Sequence, residues 1–179
     1  MIIKINNHLK MVPLAPSHAE ELFALVDLNR DYLRQWMGWL DKTTSVVDTE
    51  KYIKECDPQN KAGSGLQFVI KENNKICGVV GFHRIEQMHN TAEIGYWLSQ
   101  SHTGKGIMNL AVKKLIRIGF EDLNLNKIEV HCAEGNVKSR GVPEHLGFTY
   151  EATLRQCEWL YSKYVDHAIY SMLANEYSE

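Results

Sequence analysis

Ile94-Gly95-Tyr96-Trp97-Leu98-Ser99-Gln100-Ser101-His102-Thr103-Gly104-Lys105-Gly106-Ile107-Met108 is the stretch on which the reading of the chain turns. Its first part reads as a strand, and after Gly106 the apolar positions Ile107, Leu110, Ala111, Leu115 and Ile118 recur at helical spacing. Between the two lies a turn with two glycines. Such a turn suits an anion, because missing Cβ atoms allow close approach and the unpaired N–H groups and dipole of the helix start point at the ligand. Two glycines alone are equally well explained by a tight turn with no ligand. A nucleoside triphosphate loop is excluded: Ser99 stands where its first glycine belongs, and Gly106 where Ser or Thr should follow the lysine. A dinucleotide fingerprint fails too, with Asn109 at its third glycine position.

Working outward, residues 66–70 and 76–82 read as strands about an Asn73-Asn74 hairpin turn, and residues 92–98 as the strand that enters the glycine turn. Residues 128–132 alternate like a strand, 136–146 read as a helix, and 150–160 and 164–173 as two long strands joined across Tyr161-Ser162-Lys163. Upstream, a strand at 9–14 precedes a helix to about residue 27, opened by the capping-box spacing Ser17-x-x-Glu20. A second helix is expected over 31–40 and a third, capped by Asp48, through Glu55; the composition of 57–65 is that of a loop. The order predicts an α+β fold with a mixed sheet, residues 1–179 forming one domain without repeat or linker.

Composition narrows the function classes. At 179 residues, 44% hydrophobic and 23% charged, the chain can bury one sizeable core. No apolar run approaches the ~18 residues of a membrane span, and Met1 to His8 lack the pattern of a signal peptide. A cytoplasmic protein that does not bind membranes is the expectation. A net charge of −2 disfavours nucleic acid as the main ligand. Cys56, Cys77, Cys132 and Cys157 form no Cys-x-x-Cys pair, and no two histidines stand four residues apart, so neither a disulfide framework nor a metal site is implied. No cysteine has a recognisable nucleophile setting either, which argues against a covalent cysteine intermediate.

The turn Ser101-His102-Thr103-Gly104-Lys105-Gly106 resembles the pyrophosphate-binding pattern Arg/Gln-x-x-Gly-x-Gly/Ala of the GNAT superfamily of acetyltransferases, with Ser101 departing from the usual first residue. Residues 136–148, from Asn136-Val137-Lys138-Ser139 to Leu146-Gly147-Phe148, are similar to that family's Asn-x-x-Ser helix ending in Leu-Gly-Phe. Trp36-Met37-Gly38-Trp39-Leu40, Arg155-Gln156-Cys157-Glu158-Trp159-Leu160 and residues 164–170 extend the likeness over most of the chain, toward the ribosomal-protein N-terminal acetyltransferase branch. The resemblance implies a GNAT-like, mostly antiparallel sheet flanked by helices, acetyl-CoA as cosubstrate without a metal, and an amine acceptor. It places the pantetheine arm on the backbone of Tyr96, Trp97 and Leu98. The pyrophosphate falls on Ser101, His102, Thr103, Gly104, Lys105, Gly106, Ile107 and Met108, and Asn136 is a further cofactor contact. Ser139 becomes the proton donor and Glu158 the base.

The residues admit plainer readings as well. Asn136 can simply cap its helix, Gly147 end it and Phe148 pack. Pro143 is less plain, because a proline inside that helix denies the Ser139 carbonyl its donor four residues on. Alternation puts Glu158 on one strand face with Leu154, Gln156 and Leu160, a mainly apolar setting in which a carboxylate becomes a stronger base; a surface strand carboxylate is the plain alternative. Trp36 and Trp39 could share a helix face, as core or as a wall of the acceptor groove. The acceptor is either a protein N-terminal α-amine or a small amine such as an antibiotic or polyamine. A non-catalytic acyl-CoA sensor is the third reading, and the homo-oligomeric state is open.

Overall fold

The computed structural model describes residues 2–178. Among them eight strands form one sheet, in the order β1-β2-β3-β4-β5-β6-β8-β7. The strands are β1 (Ile3–Lys4), β2 (Leu9–Pro13), β3 (Leu66–Glu72), β4 (Lys75–Glu86), β5 (Thr91–Leu98), β6 (Lys127–Ala133), β7 (Thr149–Leu160) and β8 (Lys163–Leu173). Neighbours are antiparallel except β5 and β6, which run parallel. The sheet is thus mixed and mostly antiparallel, as expected. The β3–β4 hairpin turns on Asn73 and Asn74, both at positive φ (49° and 68°), the pair of conformations that suits a tight hairpin.

The helices are α1 (Ala19–Leu28), α2 (Arg30–Arg34), α3 (Val46–Ala62), α4 (Ile107–Arg117) and α5 (Val137–His145). Parallel strands need a crossover, and α4 supplies it. Its buried positions Ile107, Met108, Ala111, Val112, Leu115 and Ile116 pack with Val80, Phe82, Ile94 and Ile128 on one face of the sheet. On the other face α1 and α3 bring Leu22, Ile53 and Cys56 against Val69 and Val79. Both faces of β4 are therefore covered, which is why residues 76–82 are apolar without strict alternation. No helix among the described residues is long and apolar enough to cross a membrane.

The first third departs from expectation. Ser17 caps nothing: Pro16–His18 form a 3-10 turn in which the Ala15 N–H donates to His18 Nδ1 (3.2 Å), and α1 starts at Ala19. The helix expected over 31–40 stops at Arg34, so Trp36 and Trp39 share no helix face. Tertiary bonds win there. Arg34 grips Asp41 through two bonds (2.9 and 2.8 Å) and lies 3.8 Å from the Tyr161 ring centroid, while the Tyr161 hydroxyl donates to the Met37 carbonyl (2.6 Å). Asp48 is not the cap of α3 but its third residue; its carboxylate accepts the N–H groups of Thr44 and Ser45 (both 2.9 Å), and Ser45 is the cap. The expected loop at 57–65 is largely helical. α3 continues through Pro58 to Ala62 and ends at Gly63 (φ 69°), where the Ser64 N–H closes on the Gln59 carbonyl (2.9 Å). Ile118 leaves α4 for a wider turn, with Leu123 N–H bonded to the Ile118 carbonyl (2.9 Å).

Candidate active site

The parallel ladder between β5 and β6 runs from Thr91–Lys127 to Ile94–Val130 and stops. Beyond it β5 continues through Gly95 to Leu98 paired only to β4. The Ser99 N–H points back to β4, donating to the Cys77 carbonyl (2.8 Å). By alternation the N–H groups of Tyr96 and Leu98 point to the open side, where a carbonyl oxygen can be polarised.

A cleft of about 590 Å³ fills this opening, lined by Tyr96 to Leu98, the glycine turn, the first turn of α4 and the start of α5. Gly104 and Gly106 hold φ of 74° and 73°, a conformation that side chains resist, and a Cβ on either would meet nothing within 4 Å. The glycines thus serve backbone shape and leave open space in front of the unpaired N–H groups of α4. That fits a diphosphate. His102 is anchored beside them, its Nδ1 bonded to Ser99 Oγ (2.6 Å) and Ser101 Oγ (3.1 Å) and its Nε2 3.4 Å from Glu72.

Of the expected cofactor residues, Tyr96, Trp97, Leu98, His102, Thr103, Gly104, Gly106, Ile107, Met108 and Asn136 line this cleft, together with Ser139 and Trp36. Ser101 and Lys105 do not; both are exposed, with Ser101 turned to His102. Trp36 packs over Gly135, whereas Trp39 lines a second cleft and packs against Trp97 with the rings tilted by 50° (centroids 6.3 Å apart).

Ser139 is fixed from three sides. The Asn136 side chain caps its N–H (3.2 Å), its Oγ lies 3.2 Å from Cys132 Sγ, and its carbonyl, which Pro143 leaves without a helical donor, receives the Tyr96 hydroxyl (2.8 Å). Burial holds the Tyr96 phenol well above its ordinary pKa and pushes the Cys132 thiol up, so both stay protonated.

Glu158 is not where alternation put it. The β7–β8 register shifts between Leu154 and Glu158, Gln156 adopts φ 51°, and its N–H donates to Asp166 (2.7 Å). The bulge breaks the period of two, and Leu154 is 47% exposed, so the expected apolar face does not exist. Glu158 is half-buried beside Gly38, bonded through Oε2 to His167 Nε2 (2.8 Å). It lines neither cleft and does not touch Ser139.

The second cleft, about 460 Å³, opens on the face carrying α1 and α3 and shares Met37, Tyr96 and Trp97 with the first. Its inner wall includes Leu22, Val26, Tyr52 and His83, and Lys42, Asp48, Lys51 and Glu55 contribute both signs of charge. Sequence reading missed His83, Met37, Tyr32 and Lys138. Lys138 lay inside the quoted Asn-x-x-Ser block and Met37 inside the quoted Trp36-to-Leu40 block, but His83 and Tyr32 carry no motif. Among the described residues no group of three or more His, Cys, Asp or Glu is arranged to hold a metal.

Comparison with known proteins follows the same lines. A family model described as an acetyltransferase (GNAT) domain matches residues 8–149. The ribosomal-protein-serine acetyltransferase of Escherichia coli (strain K12) is 32% identical over 171 residues, covering 96% of each chain. A solved ribosomal L7/L12 alpha-N-protein acetyltransferase in complex with coenzyme A superposes with a TM-score of 0.94 at 28% identity, over 99% of this chain and 100% of that one. The microcin C7 self immunity acetyltransferase MccE, solved with acetyl-CoA and AMP, gives 0.91 at 32% identity, over 96% and 95%.

Proposed function

The chain belongs to the GNAT acetyltransferase family and is an acetyl-CoA-dependent N-acetyltransferase; from that premise we propose that it acetylates, in one step, the N-terminal α-amine of a protein, as its ribosomal-protein relatives are named for doing. The carrying observation is the meeting of two clefts at Met37, Tyr96 and Trp97. One cleft suits the diphosphate and pantetheine of acetyl-CoA. The other, about 460 Å³ and lined by both signs of charge, offers room for the first residues of a peptide. A thioester held at their junction is attacked directly by the amine nitrogen, without a covalent enzyme intermediate.

In this reading the free N–H groups of Tyr96 and Leu98 polarise the thioester carbonyl. The new C–N bond forms as the C–S bond breaks; Glu158, which lines neither cleft but lies beside Gly38, next to the shared Met37, takes the amine's proton by way of a water, and Ser139 donates to the departing CoA sulfur. We assign the activity to a cytoplasmic enzyme whose residues 1–179 act as one domain. Acetylation of a small amine, such as an antibiotic or polyamine, is the second reading, favoured by the likeness to an acetyltransferase solved with AMP.

Turnover of acetyl-CoA, read by release of free thiol, separates the two. Short peptides with free N-termini should be acetylated with higher kcat/KM than spermidine or simple alkylamines. Thiol release with small amines but none with peptides would reject the protein N-terminus as acceptor.

A further inference from the structure

β4 and β5 slip register between Phe82 and Arg84, so His83 has no partner across the ladder and projects into the second cleft beside Gly95, Tyr96 and Trp97. The Nε2 edge of its ring abuts β5: a Cβ on Gly95 would fall 1.6 Å from His83 Nε2 and 1.9 Å from Cδ2, so only glycine permits this placement. Behind it Gln67 is 2% exposed. The Gln67 Nε2 donates to the Phe82 carbonyl (2.8 Å) and to His83 Nδ1 (3.2 Å). A carbonyl can only accept, so the first bond fixes which end of the carboxamide is nitrogen, and the second makes Nδ1 the acceptor. The neutral ring then carries its proton on Nε2. Gln67 Oε1 is left buried without a partner, a cost of about 1–3 kcal/mol that an apolar side chain would avoid. A bulge, a glycine and a costly buried amide thus converge on one histidine.

His83 keeps an exposed edge at the cleft, and desolvation by the protein packed around the rest of its ring pulls its pKa below the ordinary imidazole value, against an upward pull from Glu93. A neutral ring does not repel an incoming ammonium, and with Nε2 already protonated it is a donor and not a base. Resting on the reading that the second cleft receives the acceptor, we propose that His83 is its specificity residue. The Nε2–H donates to the carbonyl oxygen next to the α-carbon of a peptidyl acceptor, selecting an α-amine joined to a carbonyl over an alkylamine or polyamine. Such amines have no oxygen to offer there, and the donor they strand in the cleft loses its water without replacement.

The test compares the full chain with His83→Phe, which keeps a flat ring without a donor, and His83→Gln, which restores an N–H. The ratio of kcat/KM for a short peptide over that for an alkyl monoamine should fall about tenfold in His83→Phe, through the peptide KM, and recover partly in His83→Gln. Acetyl-CoA Kd should hold. An unchanged ratio in His83→Phe, or an equal loss for both amines, would overturn the assignment while leaving the peptide acceptor standing. A parent enzyme that acetylates monoamines and no peptide would overturn both.

Discussion

A single proline organises the chemistry around Ser139. Pro143 removes the donor that would close the α5 turn, and the Tyr96 hydroxyl, from a strand on the far side of the cleft, takes its place at 2.8 Å. Tyr96→Phe should therefore cost roughly 1 kcal/mol by urea unfolding and slow turnover as well, because the same bond holds Ser139 toward the cleft. A variant with parent stability would show that water replaces the phenol. Ser139→Ala should keep the fold and slow turnover by about 10²-fold, the usual share of one acid or base. Should calorimetry find acetyl-CoA binding abolished with normal turnover at saturation, Ser139 is a cofactor ligand only. Glu158→Gln preserves shape and its reach to His167 but not basicity, so a drop of about 10²-fold in kcat with acetyl-CoA affinity held is expected. Parent turnover in that variant would move the search for a base to Glu93, Glu129 or water. Pro143 and Ser139 could be read four residues apart in sequence; Tyr96 and His167 come from other elements, and no spacing announces them.

Among the elements, the strand, turn and helix from β5 to α4 carry the clearest local message. Gly104 and Gly106 are both left-handed, and nothing crowds either Cβ position. Gly104→Val should therefore act through backbone conformation, at about 1–2 kcal/mol of strain, and weaken acetyl-CoA about tenfold or more in a titration of the folded variant. An unchanged Kd would remove the diphosphate from this turn. The α3 helix shows why local reading failed elsewhere. Asp57-Pro58 and the polar residues after it have loop composition, yet a proline costs a helix one bond, and the true stop is Gly63 with its left-handed φ. The Gln35-to-Trp39 segment failed for a different reason. Its helical spacing is overridden by the Arg34, Asp41 and Tyr161 contacts, which tie it to the β7–β8 turn more than a hundred residues away in sequence. β7 likewise hides its bulge, since nothing in Arg155-Gln156-Cys157 signals a positive φ at Gln156.

At the scale of the molecule, the α+β class, the two hairpins and the helix after the glycine turn were legible, because each rests on periodicity or on a turn; the order of the strands in the sheet was not read. Where the parallel ladder stops was not, for it depends on how far two strands splay in three dimensions. That stop leaves β5 and β6 joined over four residues, whereas β4 and β5 pair along nearly their whole length. The proposed catalytic centre is in this sense assembled at a joint: Tyr96 and the glycine turn belong to the N-terminal side of the chain, Ser139 and Glu158 to the C-terminal side. Proteins with such a joint lend themselves to reconstitution from pieces. Polypeptides 1–122 and 123–179, divided at the exposed turn before Asn124, should each be inactive, and mixing them should restore thiol release to the extent that the buried face of α4 again meets β6. Activity in 1–122 alone would mean that Ser139 and Glu158 are dispensable. Recovery only on mixing would make complementation itself an assay for the seam, in which each substitution along β5 or β6 is scored by how well two halves find one another.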